Sequence, residues 1–129
     1  MLTSAGAAPD RLVLAHADRN PDPGLHAELA AAGAYLGYDG MARTKYWPDS
    51  VLLDCLLAVA GSGGADRLLL GGDVARASSF TSYGGLPGMA YLPRRFVPRI
   101  ERAAGSGLVR RLLVDNPARV FAMPEPSVA

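Results

Sequence analysis

Short apolar runs alternate along this chain with longer stretches of helical spacing, and the alternation occurs three times. Residues 11–15, Arg-Leu-Val-Leu-Ala, read as a first strand. A polar loop follows, and Asn20, Asp22 and Pro23 supply helix-start chemistry for a helix near residues 25–32 that stops at Gly33. The second unit opens with a strand at 34–38 and crosses a long loop at 39–48. It then enters a helix capped by Asp49 or Ser50 and running to about Ala60. There Leu52, Leu53, Leu56, Leu57 and Ala60 form one apolar stripe. The third unit has a strand at 67–70, a Gly- and Ser-rich loop to about Pro87, and a helix near 89–102. Pro93 and Pro98 fall inside that helix and predict a bent or divided element, because each ring removes a backbone donor. Two short helices are predicted at 108–114 and 117–122, the second capped by Asn116, with a frayed tail at 124–129.

Strands alternating with helices predict an α/β fold with a parallel sheet covered on both faces. Only three strands are visible, which leaves Leu-rich sheet edges open. Residues 6–10, Gly-Ala-Ala-Pro-Asp, also read like a turn leaving an earlier helix. Residues 1–129 are therefore read as a single part of a larger architecture.

Composition narrows the classes of partner. The chain of 129 residues is 50% hydrophobic and 19% charged, with 13 basic against 12 acidic residues and no basic block. Neither nucleic acid nor an anionic membrane finds an electrostatic footprint here. No apolar stretch approaches the roughly 20 residues that span a bilayer, and the first residues lack the pattern of a secretory signal. Cys55 is the only cysteine, which excludes an internal disulfide, and its leucine neighbours predict a buried thiol. A reducing cytoplasm is the expected setting.

The candidate chemistry lies at the ends of strands. His16 follows the first apolar run and Asp73 the third, at the C-terminal strand tips where ligands bind in β/α proteins. Either residue also has an ordinary reading, His16 as a hydrogen-bonded loop residue and Asp73 as a cap on the turn through Gly71-Gly72. A metal centre needs about three or more protein ligands, and two are expected here. Arg43, Lys45, Tyr46 and Arg76 occupy loops at the same mouth, where they can position an anionic or carbonyl group or simply face solvent. Asp18, Arg19 and Asp39 follow strand tips as well, as partners orienting His16 or as turn formers. The Gly61–Gly64 run precedes a strand and lacks Gly-Lys-Ser/Thr, so it is no phosphate loop.

Several segments together resemble the last three strands of the phosphotriesterase family of the amidohydrolase superfamily. They are Leu14-Ala15-His16-Ala17-Asp18, Gly37-Tyr38-Asp39 and Leu70-Gly71-Gly72-Asp73, followed by Tyr83-Gly84-Gly85, Tyr91-Leu92, Phe96-Val97-Pro98 and Asn116-Pro117-Ala118-Arg119-Val120-Phe121. Lys45-Tyr46-Trp47-Pro48-Asp49 is similar to the phosphotriesterase homology branch. The resemblance implies a partial TIM (β/α)8 barrel and a hydrolase using two divalent metals, usually zinc. It implies His16 as ligand of one metal, and Asp73 as ligand of the other and acceptor of a proton. The family's remaining ligands have no counterpart here: a His-x-His pair on the first strand, a bridging lysine or glutamate on the fourth and a histidine on the fifth. His26, the only other histidine, falls on a helix. Metal binding by this chain is therefore expected to be weak or absent.

The leading expectation is a metal-dependent hydrolase of an ester, lactone, amide or phosphotriester, incomplete as this chain, with a small-molecule substrate. One alternative is a non-catalytic fragment or half of a split barrel, burying its strands against a complementary fragment or another copy. A more remote one is a small flavodoxin-like binding domain, revealed by nucleotide-dependent stabilisation.

Overall fold

A computed structural model describes residues 3–123; the expected tail at 124–129 lies outside the described residues. Three strands, β1 (Val13–Leu14), β2 (Tyr35–Tyr38) and β3 (Leu68–Leu70), form one parallel sheet in the order β1-β2-β3. Val13 pairs with Tyr35, and Leu36 and Tyr38 pair with Leu68 and Leu70. The strands are shorter than the apolar runs because pairing stops where the chain turns, at Ala34 and at the short helical turn Gly64–Arg67.

Helix α1 (Pro23–Ala31) joins β1 to β2, and α2 (Asp49–Gly61) joins β2 to β3. Asp22 caps α1 as expected, its carboxylate accepting from the Gly24 and Leu25 amides at 3.0 and 3.1 Å. Gly33, with φ of +103°, leaves the helix in the left-handed conformation that glycine alone enters without penalty. Neither residue expected to cap α2 does so. Pro48 stands at the boundary, and the Asp49 carboxylate turns away to accept from the Ala42 amide and the Tyr91 hydroxyl, both at 2.7 Å. Leu36, Leu52, Leu56, Val59, Leu68 and Phe96 form the centre of the core between sheet and helices. Cys55 is buried within it, as expected.

The expected division at the prolines takes the form of wider helical turns. Residues Leu92–Phe96 form a π-helical turn that runs into α3 (Val97–Ala104). A second π-helical turn, Arg111–Asp115, joins α4 (Ser106–Arg110) to α5 (Asn116–Phe121), so the two expected short helices are one continuous rod. In both places the residue just before a proline, Val97 or Asn116, donates its amide five residues back, to Leu92 or Arg111. The wider turn relieves the clash between the proline ring and the carbonyl four residues earlier. Asn116 is consequently helical, with φ of −68° and ψ of −48°, and cannot cap α5. Its side chain is fully buried and donates to the Ala65 and Leu68 carbonyls, both at 2.8 Å, which ties α5 to β3.

Because the strands are parallel, the loops 15–22, 39–48 and 71–91 leave the sheet at the same rim. Among the described residues no helix is long and apolar enough to cross a membrane.

Candidate active site

His16, Asp39 and Asp73 meet at that rim, where the ligand atoms of all three lie within 4.8 Å of one another. The strand-tip expectation for His16 and Asp73 matches this placement. Asp39, expected beside them as a partner orienting His16, comes from the tip of the central strand. The same strand-tip rule, applied to β2, carries the signal for it.

Backbone strain marks the same place. The only described non-glycine residues with positive φ are His16 at 56°, Ala42 at 65° and Asp73 at 44°. A branched or bulky side chain enters this region at a cost of order 1–3 kcal/mol, so it persists only where surrounding contacts enforce it. For His16 those contacts are visible. Asp39 accepts from the His16 backbone amide at 3.3 Å and from ring Nδ1 at 2.8 Å. A carboxylate can only accept, so Nδ1 carries the proton and the neutral ring keeps its lone pair on Nε2. The hydrogen bond to Asp39, and then its charge, hold the exposed imidazole above its ordinary pKa.

Asp73 is held from the other side of β2. Arg43 approaches its carboxylate at 3.0 Å, donates to its carbonyl, and donates to the Asp39 carbonyl at 2.7 Å. Arg43 is thus placed on the active rim, but its contacts are to the carboxylate bearing residues themselves.

Asp18 is brought to the rim without touching His16 by any hydrogen bond. Its carboxylate accepts from the Asp39 amide at 3.0 Å and the Gly40 amide at 2.6 Å. Its other oxygen has no hydrogen-bond partner among the described residues, and burial pushes its pKa up.

A cavity of about 630 Å³ opens beside these groups, lined by Arg19, Arg43, Lys45, Tyr46, Asp73 and Arg76 among others. All four residues expected at the mouth therefore line one space. Tyr46 stacks with cations: the Arg19 guanidinium lies 3.8 Å and the Lys45 ammonium 4.7 Å from its ring centre. Arg19 first, then Lys45, draws the phenol below its ordinary pKa. Trp47 donates to the Arg19 carbonyl at 3.0 Å and fixes the base of the stack. The cavity presents four basic side chains against one carboxylate.

His26 stands apart from the rim, as expected for a helical residue. It is buried, with Nδ1 2.6 Å from the Tyr38 hydroxyl, which in turn lies 3.2 Å from Cys55 Sγ. Burial holds the His26 pKa below and the Tyr38 and Cys55 values above their ordinary positions.

Comparison with known proteins places this arrangement. The model of the phosphotriesterase family matches residues 1–121. The chain belongs to the phosphotriesterase family. It is 32% identical to the phospho-furanose lactonase of Mycoplasmopsis synoviae, over 96% of this chain and 37% of that protein. It is 27% identical to the phosphotriesterase homology protein of Escherichia coli, over 94% of this chain and 41% of that one. Among solved structures, a lactonase from Listeria monocytogenes superimposes with a TM-score of 0.90 at 35% identity, over 96% of this chain and 40% of its own. The E. coli phosphotriesterase homology protein, solved with phosphate in its active site, gives 0.87 at 26% identity, over 94% and 42%. The phosphotriesterase-family chain thus spans about two fifths of the length of these relatives, and its fold is three β/α units of a TIM barrel.

Proposed function

We propose that this chain carries the His16–Asp73 part of a metal-dependent hydrolase site that cleaves a lactone or related ester, amide or phosphotriester bearing an anionic group. The juxtaposition of His16, Asp39 and Asp73 at one rim is the observation that carries the reading. His16 Nε2 and the Asp73 carboxylate are donor types suited to a divalent ion of the zinc type, with Asp39 beside them as the partner that orients His16. When bound, such an ion supplies Lewis acidity, polarising the scissile bond and lowering the pKa of water toward about 7.

The side chains divide the remaining work. Asp39 holds the proton on His16 Nδ1, which leaves Nε2 as the donor atom. Asp73 accepts the proton released as water attacks, and Arg43 fixes the direction of its carboxylate. Lys45, Arg76 and the Arg19–Tyr46 stack line the cavity where an anionic substituent would sit. A phospho-furanose lactonase among the relatives and a phosphate in the active site of another support a phosphorylated substrate. The single buried cysteine supports a cytoplasmic setting.

Cobalt or zinc titration of the chain, and of a full barrel containing it, tests the reading. Both His16→Ala and Asp73→Asn are expected to weaken metal binding by at least about tenfold, and Lys45→Ala or Arg76→Ala to raise KM for a phosphorylated lactone more than they lower kcat. Equal metal affinity in the His16 and Asp73 variants sinks the site.

A second reading rests on the sheet. The edge strand β1 leaves Val13 38% exposed, so the chain is also suited to pair with complementary barrel units. A monomeric, metal-loaded and active chain in gel filtration overturns that alternative.

A further inference from the structure

The Asp18 carboxylate is 1% exposed, yet among the described residues no cation pairs with it. Burial of a carboxylate is costly unless strong hydrogen bonds replace its water. The two it receives come from the backbone of Asp39 and Gly40, the turn at which β2 ends. Asp39 sends its own carboxylate the opposite way, to the backbone amide and ring of His16, two residues before Asp18. The loop after β1 and the loop after β2 therefore grip each other twice: an acid from each accepts amides from the other.

Gly40 completes the fit. A Cβ there would lie 3.0 Å from Asp18 Oδ2 and 3.3 Å from its Cγ. Gly40 is not among the positive-φ glycines, so what glycine supplies is space for the buried carboxylate.

We propose that Asp18 is a positioning residue: by fixing the Asp39–Gly40 turn it aims the Asp39 carboxylate at His16 and so sets which ring nitrogen of His16 faces the cleft. The metal arm of its test rests on the function proposed above; the geometric arm does not.

The experiment compares Asp18→Ala, Asp18→Asn and Gly40→Ala with Asp22→Ala, which removes the α1 cap in the same loop and leaves the latch alone. Nitrogen-15 NMR of the imidazoles in metal-free, alkaline buffer reads the His16 tautomer. The parent chain and Asp22→Ala should show the proton on Nδ1. Asp18→Ala and Gly40→Ala, which attack one contact from its two sides, should move it toward Nε2, with Asp18→Asn between. Cobalt titration should show about 10- to 100-fold weaker binding in Asp18→Ala and no comparable loss in Asp22→Ala. An unchanged His16 tautomer in the folded Asp18 and Gly40 variants overturns the proposal, as does an equal shift in Asp22→Ala. If Asp18→Ala fails to fold, Asp18→Asn and Gly40→Ala decide. If the parent chain takes up no cobalt, the metal arm is read in a full barrel containing it, and the imidazole signal alone judges the latch in this chain.

Discussion

Asn116 offers a demanding test of how this fold is held together. It is fully buried, and its two N–H groups serve the Ala65 and Leu68 carbonyls at 2.8 Å across a gap of about fifty residues. Asn116→Ala withdraws the side-chain donor from both. Leaving a buried carbonyl short of its partner costs about 1–3 kcal/mol, so the two together lose about 2–6 kcal/mol. The Asn116 side-chain oxygen Oδ1 has no partner among the described residues, and its removal returns about 1 kcal/mol. A net loss of about 1–5 kcal/mol is expected, a large share of the roughly 5–15 kcal/mol typical of a folded domain. With a urea slope of about 2 kcal/mol per molar, the unfolding midpoint should fall by roughly 0.5–2.5 M. Asn116→Asp should be worse, because an acceptor would then face two acceptors in the interior. Urea unfolding followed by circular dichroism reads both. A loss below about 1 kcal/mol for Ala, or an Asp variant more stable than Ala, would refute the role assigned to those two bonds.

Two further perturbations follow from the same reasoning. Burial holds the His26 pKa below 6.5, so in the window just below 6.5 the unfolded chain binds more protons than the folded one, and stability must fall as pH drops through it. Urea midpoints at about pH 7, 6 and 5 should decline in the parent chain and flatten in His26→Gln; parallel declines would refute this. His16 shifts the other way, so its linkage falls above 6.5 and leaves that window to His26. At Gly85 a Cβ would lie 2.1 Å from the Ser78 carbonyl oxygen, and Ser78 lines the cavity. Gly85→Ala should therefore open the 78–86 loop, speeding exchange of the Leu86 amide, now bonded to Ser78, by at least about tenfold. Unchanged exchange would show that the loop absorbs the methyl group.

Local patterns made much of the fold legible. Apolar runs bounded by Gly and Pro give three strands, and Asp22-Pro23 with Gly33 brackets α1 as the cap geometry shows. The two capping errors share one physical origin, a tertiary partner outbidding a local one. Asn116 before Pro117 has the local look of a cap, but the Ala65 and Leu68 carbonyls claim its amide group. Asp49 at the start of α2 has the same look, and the Ala42 amide and Tyr91 hydroxyl claim it. At the prolines the α-helical bond is replaced rather than simply lost. A five-residue bond from the preceding residue lets the rod continue.

At the rim, the strand-tip rule finds His16, Asp39 and Asp73 but says nothing of how they are joined. That depends on strand order. With β2 central, its tip loop faces both neighbours, and it uses both sides: Asp39 reaches back to His16 while Arg43 reaches forward to Asp73. The Asp39 backbone is gripped in turn by Asp18, 21 residues earlier. Neither the sign nor the spacing of these residues announces the arrangement, since acidic and basic side chains near loops are ordinary. What distinguishes them is enforcement. His16, Ala42 and Asp73 sit in a backbone region that side chains avoid, and each has its own restraint there: Asp39 on His16, Asp49 on the Ala42 amide, Arg43 on Asp73. Two of those three restraints come from the β2 tip loop. The middle strand, whose tip the sequence offers only as a source of partners and mouth residues, is therefore the element on which the geometry of the site depends.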